Sequence, residues 1–591
     1  MDPHAEYTRR LAARRHVCAA EERLFHRIGT ARLITGIATV AVVWLSIGQR
    51  LISPWWLIPP AVLFLALVLW HQFVFVRLSN ARRAVQFYEG GIARLEDRWQ
   101  GNGETGERFR TPDHVYADDL DVLGKGSLYE LLCTVRTPMA EQMLAAWLLN
   151  PAGTVDAEQR QHAVAELRVR LDLREDLFLV GDLVRRDVRA AALLAWGDSE
   201  PVVFAGLLRM LAPVLAAGTV LLLILDLTDL LPLWPFLAAL LVELSVIFAF
   251  RKKVNQVAEA VEEPARALDL VAAVLRRFER EQFDGPYLRR LRAGFEQVTT
   301  PGSRHIKRLE RYAARLEWAH NQFFLPIAAV LLWREQLALR IEDWRREHGR
   351  HVGRWLASVA ELEVLCAIAG YAFDHPSDPF PDLASEGAAF EAAGIAHPLM
   401  HEAVRNDVTL GPGTALLIVS GSNMSGKSTL LRTVGLNAVL ALAGAPVRAR
   451  SLRLAPLSIA ASIRVVDSLA DGRSRFLAEI TRLRHMMDLA GGDRPLLFLI
   501  DELLSGTNSH DRRIGAEAIL RGLVQRGAIG LATTHDLALT AISEALSPLA
   551  KNVHFADILS GGVLVFDYLL HEGVTGRSNA LELMRSVGLE V

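Results

Sequence analysis

The chain of 591 residues is 51% hydrophobic and 22% charged. That balance excludes a protein that is membranous throughout, and the length exceeds what one hydrophobic core organises, so several domains with membrane segments grafted onto soluble ones are expected. A net charge of −2 excludes a globally basic nucleic-acid binder but leaves local basic faces open.

Cys18, Cys133 and Cys366 lie far apart and form no C-x-x-C pair. They offer no sequence-visible zinc site or disulfide framework, which fits a reducing compartment. Residues 1–32 are polar and Arg-rich without a small-residue cleavage site. They read as a cytoplasmic lead into a membrane anchor, not as a removable signal peptide.

Two uncharged apolar runs follow, LITGIATVAVVWLSIG at 33–48 and WWLIPPAVLFLALVLWHQFVFV at 55–76. A second pair lies at 210–225 and 234–250, joined by DLTDLLPL. The lengths suit a hydrocarbon layer of about 30 Å, with the first run at the short limit. Cationic segments (RRLAARRH, RLSNARR, RKK) flank the pairs, whereas the turns within them carry only Arg50, and Asp226 with Asp229. The positive-inside rule then makes the N-terminus, residues 77–200 and everything after 251 cytoplasmic. The expected location is the inner cell membrane, as a multi-pass protein. Glu243 lies inside the fourth run and is expected to face a neighbouring helix, because one carboxylate makes no ion pathway. Residues 323–333 (FFLPIAAVLLW) are too short to span and read as a buried or interface-lying helix.

Arg304, Lys307, Arg308, Arg311 and Arg315 recur at helical spacing, as do Arg334, Arg340, Arg345, Arg346 and Arg350. Both groups are candidates for phosphate contacts with DNA. Their interleaving with Glu310, Glu317, Glu335, Glu342 and Glu347 is that of a solvated helix face, the expected reading for any one of these residues taken singly.

The chemistry lies further on. Gly421-x-x-x-x-Gly426-Lys427-Ser428 follows the apolar run Leu416–Val419 and precedes a helical pattern from Thr429. This is the strand–loop–helix context of a phosphate-binding loop, in which inward-turned backbone N–H groups cradle phosphates. The nucleotide-binding stretch is Gly421, Ser422, Asn423, Met424, Ser425, Gly426, Lys427, Ser428 and Thr429. Lys427 would reach the β- and γ-phosphates of ATP, and Ser428 would ligate Mg2+. PLLFLIDELL places Asp501 and Glu502 at the end of a buried strand, Asp501 for the magnesium and Glu502 to polarise the attacking water. A third run, GAIGLATTHD, delivers His535 as a γ-phosphate sensor.

GSNMSGKSTLLRTVGL, DSLADGRSRFLAEI, LLFLIDELLSGTNSHD and ATTHD, in that order, resemble the successive ATPase motifs of the MutS family. Asn423-Met424 is the pair that separates that family from most P-loop proteins. The resemblance covers residues 397–589 and implies that Ser474 acts in trans on the partner's γ-phosphate, so that ATP closes a homodimer of ATPase domains. Residues 127–151, 160–167 and 355–372 are similar to the family's lever helices. Ser425 stands where the family usually has glycine, and Leu503-Leu504-Ser505 replaces the usual Ile-Gly-Arg. Phe87-Tyr88-Glu89 has the spacing of the family's mismatch wedge but reads as part of a continuing helix, and no room is left for mismatch and connector domains. Beyond the ATPase motifs neither a nuclease appendage nor a long dimerisation extension is expected.

The expected fold is mixed α and α/β: four transmembrane helices in two hairpins, a helical lever and clamp region, and a C-terminal P-loop (ABC-like) ATPase domain. The expected segments are 1–32, 33–76, 77–200, 202–250, 251–385 and 386–591. The expected function is a membrane-anchored MutS-like ATPase clamping duplex or branched DNA through its backbone. A transporter of the ABC type, or a membrane-tethered regulatory ATPase acting on a non-DNA partner, is the alternative. LSGG at 559–562 mimics the transporter signature, but it follows the acidic pair, and a β-turn accounts for it.

Overall fold

Long apolar runs of similar composition differ in how far the rest of the chain covers them. The structure, a computed structural model, describes residues 2–49, 51–111, 113–182, 190–204, 206–294, 296–297, 300–385, 387–422, 424–464, 475–504, 507–560 and 563–574. Two compact units divide the chain. One comprises Met1–Thr134, Trp147–Gln161 and Ile368–Val591, the other Val135–Ala146 and His162–Ala367.

The first unit opens with a helical hairpin. Helix α1 (Pro3–Val43) starts behind Asp2, whose side chain accepts the His4 N–H at 3.0 Å, and α2 (Ile58–Leu95) returns beside it. Residues 1–32 are therefore not a separate lead. They are the first part of α1 and pair with the stretch after the second apolar run, as Arg77–Glu21 (2.5 Å), Arg82–Glu22 (2.6 Å) and Arg15–Glu89 (2.7 Å) show. The last two are exposed pairs, which align helices more than they stabilise them, whereas Glu21 is buried. A buried anchor does more. Tyr7 Oη and Arg94 Nε both donate to the Asp374 carboxylate at 2.7 Å, at the end of helix α5 (Trp333–Asp374). Phe87-Tyr88-Glu89 lies inside α2, with Tyr88 buried against Tyr7. The apolar parts of both helices stand bare, with Leu33, Ile37, Val40, Leu65, Leu69 and Phe73 exposed.

In the second unit α3 (Gly206–Leu227) and α4 (Trp234–Glu279) pack together. The Thr219 hydroxyl donates to Glu243 Oε1 at 2.7 Å, which fits the expectation that this carboxylate faces a neighbouring helix. Only 6–17% of the apolar windows of α1 to α4 is buried, against 83% for that of α5. Apolar composition alone does not separate these two cases; α5 is a core helix. Helix Gly302–Glu317 runs along α4 with Arg304, Lys307, Arg308, Arg311 and Arg315 all exposed. The other basic group is split. Arg345 is buried in an ion pair with Glu342 at 2.6 Å and also donates to the Glu200 carbonyl, so it is not available to a nucleic acid.

The C-terminal part of the first unit carries two sheets. A four-stranded sheet has the order β1-β5-β2-β3, with β1 (Asp382–Leu383), β2 (Phe390–Ile395), β3 (Asn406–Leu410) and β5 (Ser451–Leu454). A six-stranded sheet contains β4 (Leu416–Ser420), β6 (Ser458–Ser462), β7 (Leu496–Ile500), β8 (Ile529–Thr534), β9 (Ala550–Ser560) and β10 (Val563–Glu572). Its order is β10-β9-β4-β8-β7-β6, parallel except for the β9–β10 pair. Strands β4, β7 and β8 are buried at every position, as runs covered on both faces must be. Leu559 and Ser560 end β9; Gly561 and Gly562 lie outside the described residues.

Helix α6 (Lys427–Ala443) leaves β4 through the P-loop and is buried from Leu430 to Ala443 apart from Arg432. It can lie that deep because residue 435 is glycine: a Cβ there would meet Leu120 Cδ1 at 2.6 Å and Leu499 Cδ1 at 2.8 Å. Overpacking a filled core costs about 1–3 kcal/mol. Gly435→Val is therefore expected to lower stability by about that amount, read as a lower urea midpoint for protease resistance of the ATPase region. An unchanged midpoint would contradict this packing.

Candidate functional site

Strand register builds the site. Thr533 pairs with Val419 and Thr534 with Ser420, while Ala532 pairs with Ile500. The carboxyl ends of β4, β8 and β7 are thus level, so the P-loop, His535 and the acidic pair leave the sheet side by side.

Gly421 and Gly426 hold φ of +155° and +102°, which favour glycine, and a Cβ on Gly421 would meet Ser425 Oγ at 2.8 Å. Ser425, the departure from the family's usual glycine, is buried in the space that Gly421 leaves. Met424 is exposed at φ +75°, and Asn423 lies outside the described residues. Lys427 is buried, its Nζ donating to the carbonyls of Gly421 and Ser422 at 2.8 and 2.7 Å. Its charge is thereby held within the loop. The Ser428 hydroxyl donates to Asp501 Oδ2 at 2.5 Å. The two groups expected to share a magnesium ion are already neighbours.

Thr533 is the residue that the sequence reading missed. Its hydroxyl donates to Asp501 Oδ1 and accepts the Glu502 N–H at 3.1 Å, clamping the acidic pair from the next strand. Glu502 sits at φ +49°, and its Oε1 lies 3.3 Å from His535 Nδ1. The following turn is held by Glu479, which accepts the Leu504 N–H at 2.6 Å, and by Arg512 on the Leu504 carbonyl at 3.1 Å. Leu504 has φ +55°, a conformation that suits the glycine usual in the resembling family, and compensates by burying its side chain. Ser474, and with it the Gly-Arg-Ser segment, lies outside the described residues.

The groups converge on a cleft of about 600 Å3 lined by the loop from Gly426 to Leu430, by Asp501 and Glu502, and by His397, Met400, Val404, Asn406 and Tyr568. Asn406 ties two of its walls together, donating to the Tyr568 carbonyl at 3.0 Å and accepting the Leu570 N–H at 2.7 Å. A polar end of lysine, hydroxyl and carboxylates opposite a more apolar end suits a nucleoside triphosphate. The glycine cradle and the Ser428–Asp501 pair likewise fit Mg2+ and phosphate.

Behind the site, Asp119 is fully buried and gathers three elements. Its Oδ1 accepts the N–H groups of Ile463 (2.8 Å) and Arg464 (2.6 Å), just past β6, and its Oδ2 accepts Arg482 Nη1 at 2.7 Å from helix α7 (Arg475–Leu489). Its carbonyl receives Arg432 Nε of α6 at 3.0 Å. Burial pushes the Asp119 carboxyl up from its usual range, against the pull of Arg482 and the two N–H groups. The Ser462 carbonyl, next to that grip, accepts the Asp501 N–H at 2.9 Å. A buried carboxylate more than three hundred positions upstream leaves no local signal in the sequence.

A doubly wound sheet ending in a P-loop, an acidic pair and a histidine defines an ATPase-type nucleotide-binding domain. Residues 417–590 match MutS domain V. Endonuclease MutS2 of Thermus thermophilus is 36% identical over 211 residues, which is 34% of this chain and 27% of that relative. The similarity to the MutS family is carried by this domain, and the aligned stretch spans about a quarter of the relative's length.

Two outcomes are expected. Thr533→Val keeps the shape and removes both hydrogen bonds, so ATP turnover should fall about 10–100-fold while nucleotide affinity changes little; equal turnover would refute the clamp. The second concerns His397, which burial and the Arg432 charge hold down at about 4, partly offset by Asp121. Below its ordinary value of about 6.5, the unfolded chain takes up a proton that the folded chain does not. Stability is therefore full above about pH 6.5, falls towards pH 4 by up to about 3 kcal/mol, and levels off below that. His397→Gln should flatten that part of the thermal-melting profile between about pH 4 and 7.

Proposed function

We propose that the chain is a membrane-anchored MutS-type ATPase whose nucleotide cycle works a clamp on DNA. The observation that carries the ATPase reading is the contact set Ser428–Asp501–Thr533–Glu502–His535 beside Lys427. Lys427 and the loop amides would hold the phosphates. Ser428 and Asp501 would hold magnesium, which when bound neutralises charge on the phosphate oxygens. Glu502 would orient the attacking water and take its proton, with His535 holding the carboxylate in place. By the family resemblance, Ser474 of a second copy would complete the site, making the working unit a homodimer.

Anchoring is supported by the four long helices with bare apolar surfaces and by the cations at their ends. In this reading both hairpins cross the inner cell membrane, with the ATPase domain and the N-terminus in the cytoplasm. DNA is supported by the exposed face of Arg304, Lys307, Arg308, Arg311 and Arg315, none of which has an ion pair among the described residues. Such a face reads backbone charge and not sequence.

Glu502→Gln is expected to bind ATP as the native chain does and to lose hydrolysis by about 10²–10⁴-fold; undiminished turnover would remove Glu502 from its role. The DNA reading is tested by ATPase rate and binding with duplex, branched and mismatched DNA at low and moderate salt. Binding that falls steeply with salt is expected, and falls less steeply in a variant with the five cations changed to Gln. Neither stimulation nor binding with any of these DNAs would overturn the DNA reading and leave the ATPase reading standing.

A further inference from the structure

The second unit has an exposed apolar surface that is not part of any long helix. After helix Gly302–Glu317 the chain turns through Trp318, Phe323 and the short helix Leu325–Val330 before α5 begins. Phe323 is 93% exposed, Trp318 57%, Leu325 54% and Ile327 52%. Only Ala328 of the short helix is buried, and that helix packs on α3 and α4.

Two contacts tie the ends of this segment together, and a third, from Arg334, fixes its level along α4. Trp333 Nε1 donates to the Arg315 carbonyl at 2.9 Å, and its ring stacks parallel to Trp318 at 6.4 Å between centroids. Arg334 Nη2 donates to Asn255 Oδ1 at 2.9 Å. The bare apolar face of α4 ends at Phe248, with the Arg251 guanidinium 5.4 Å from that ring, followed by exposed Lys252 and Lys253. At about 1.5 Å rise per residue, Asn255 lies only about 10 Å beyond Phe248. That distance is comparable to the depth of a headgroup layer. The cluster of Trp318, Phe323, Phe324 and Trp333 thus stands where the apolar face of α4 gives way to cations.

We propose that Trp318–Trp333 is a lipid-seated wedge: Phe323, Leu325 and Ile327 enter the headgroup–acyl boundary beside the second hairpin, while Arg251 and Lys252 hold the phosphates of anionic lipids. This rests on the anchoring reading. Bare aromatics flanked by cations favour the membrane interface, where an amphipathic ring keeps one part dry and one wet. A protein partner would need a complementary surface of its own, whereas the short helix already packs on α3 and α4, whose apolar faces are bare. The nearby acidic groups do not reverse the sign of the site. Asp343 is paired with Arg209 and Arg346, and Glu317 is the one exposed carboxylate on the 311–334 stretch facing it among the described residues.

The test uses the full chain reconstituted in vesicles, with Cys18 and Cys133 changed to Ser, Cys366 left buried, and one added reporter cysteine carrying an environment-sensitive fluorophore. Reporters stand at Phe323→Cys, at Leu241→Cys on the bare face of α4, and at exposed Arg354→Cys. In vesicles of phosphatidylcholine with phosphatidylglycerol, the reporters at 323 and 241 should both emit blue-shifted and be quenched by brominated lipid, with 354 reporting water. In phosphatidylcholine alone, or with Arg251→Gln and Lys252→Gln, quenching at 323 should drop while that at 241 stays. A reporter at 323 in water with 241 in lipid overturns the wedge and leaves anchoring intact; both in water overturns anchoring. A blue-shifted reporter at 323 that brominated lipid does not quench means a protein contact, such as a second copy, and also overturns the wedge. Equal quenching at 323 with and without phosphatidylglycerol overturns the anionic-lipid part.

Discussion

The level ends of three parallel strands are the constraint on which the nucleotide site depends. Parallel pairing has one register in which all buried side chains stay covered, and here it puts Thr533 beside the residue that follows Ile500. One hydroxyl then reaches Asp501 and the Glu502 amide together. Slipping one strand by a single residue would turn that hydroxyl to the other face and part the acidic pair from the P-loop. The strained backbone at Glu502 and Leu504 is bearable because Glu479 and Arg512 hold the turn after it.

A second constraint is set by solvent. Helices α1 to α4 and helix α5 all carry an apolar stretch of spanning length, yet the first four leave most of that surface uncovered and α5 hides it. The difference lies in neighbours. Residues of α5 are surrounded by other helices and by pairs such as Glu342–Arg345, which satisfy its polar positions inside the protein. The apolar faces of α1 to α4 have no such cover, and the hydrophobic effect makes bare surface on that scale costly in water.

Much of the site was legible in the sequence because its signals are local. The P-loop, the acidic pair after LLFLI and the histidine after LATT each join a strand-like run to a chemistry-bearing residue within ten positions. The P-loop serine and glycines are read from steric necessity, and the apolar runs from lipid-scale length. What was not legible is long-range. Thr533 looks like an ordinary strand residue, and the grip of Asp119 on Ile463 and Arg464 crosses more than three hundred positions. Periodicity correctly proposed a helical face around Arg345 but not that this arginine is buried, since spacing shows which residues share a face and not what covers it.

By itself, then, the sequence determined the chemistry of the nucleotide site and the existence of long apolar helices, because both follow from residue types at short spacing. Only tertiary structure decided that residues 1–32 return against 77–95 as one hairpin, that α5 is core while α4 is bare, and that Asp119, Thr533, Asn406 and Tyr568 complete the cleft and its supports. Those outcomes depend on which surfaces meet. Burial and hydrogen-bond satisfaction are properties of the packed pair, not of either segment alone.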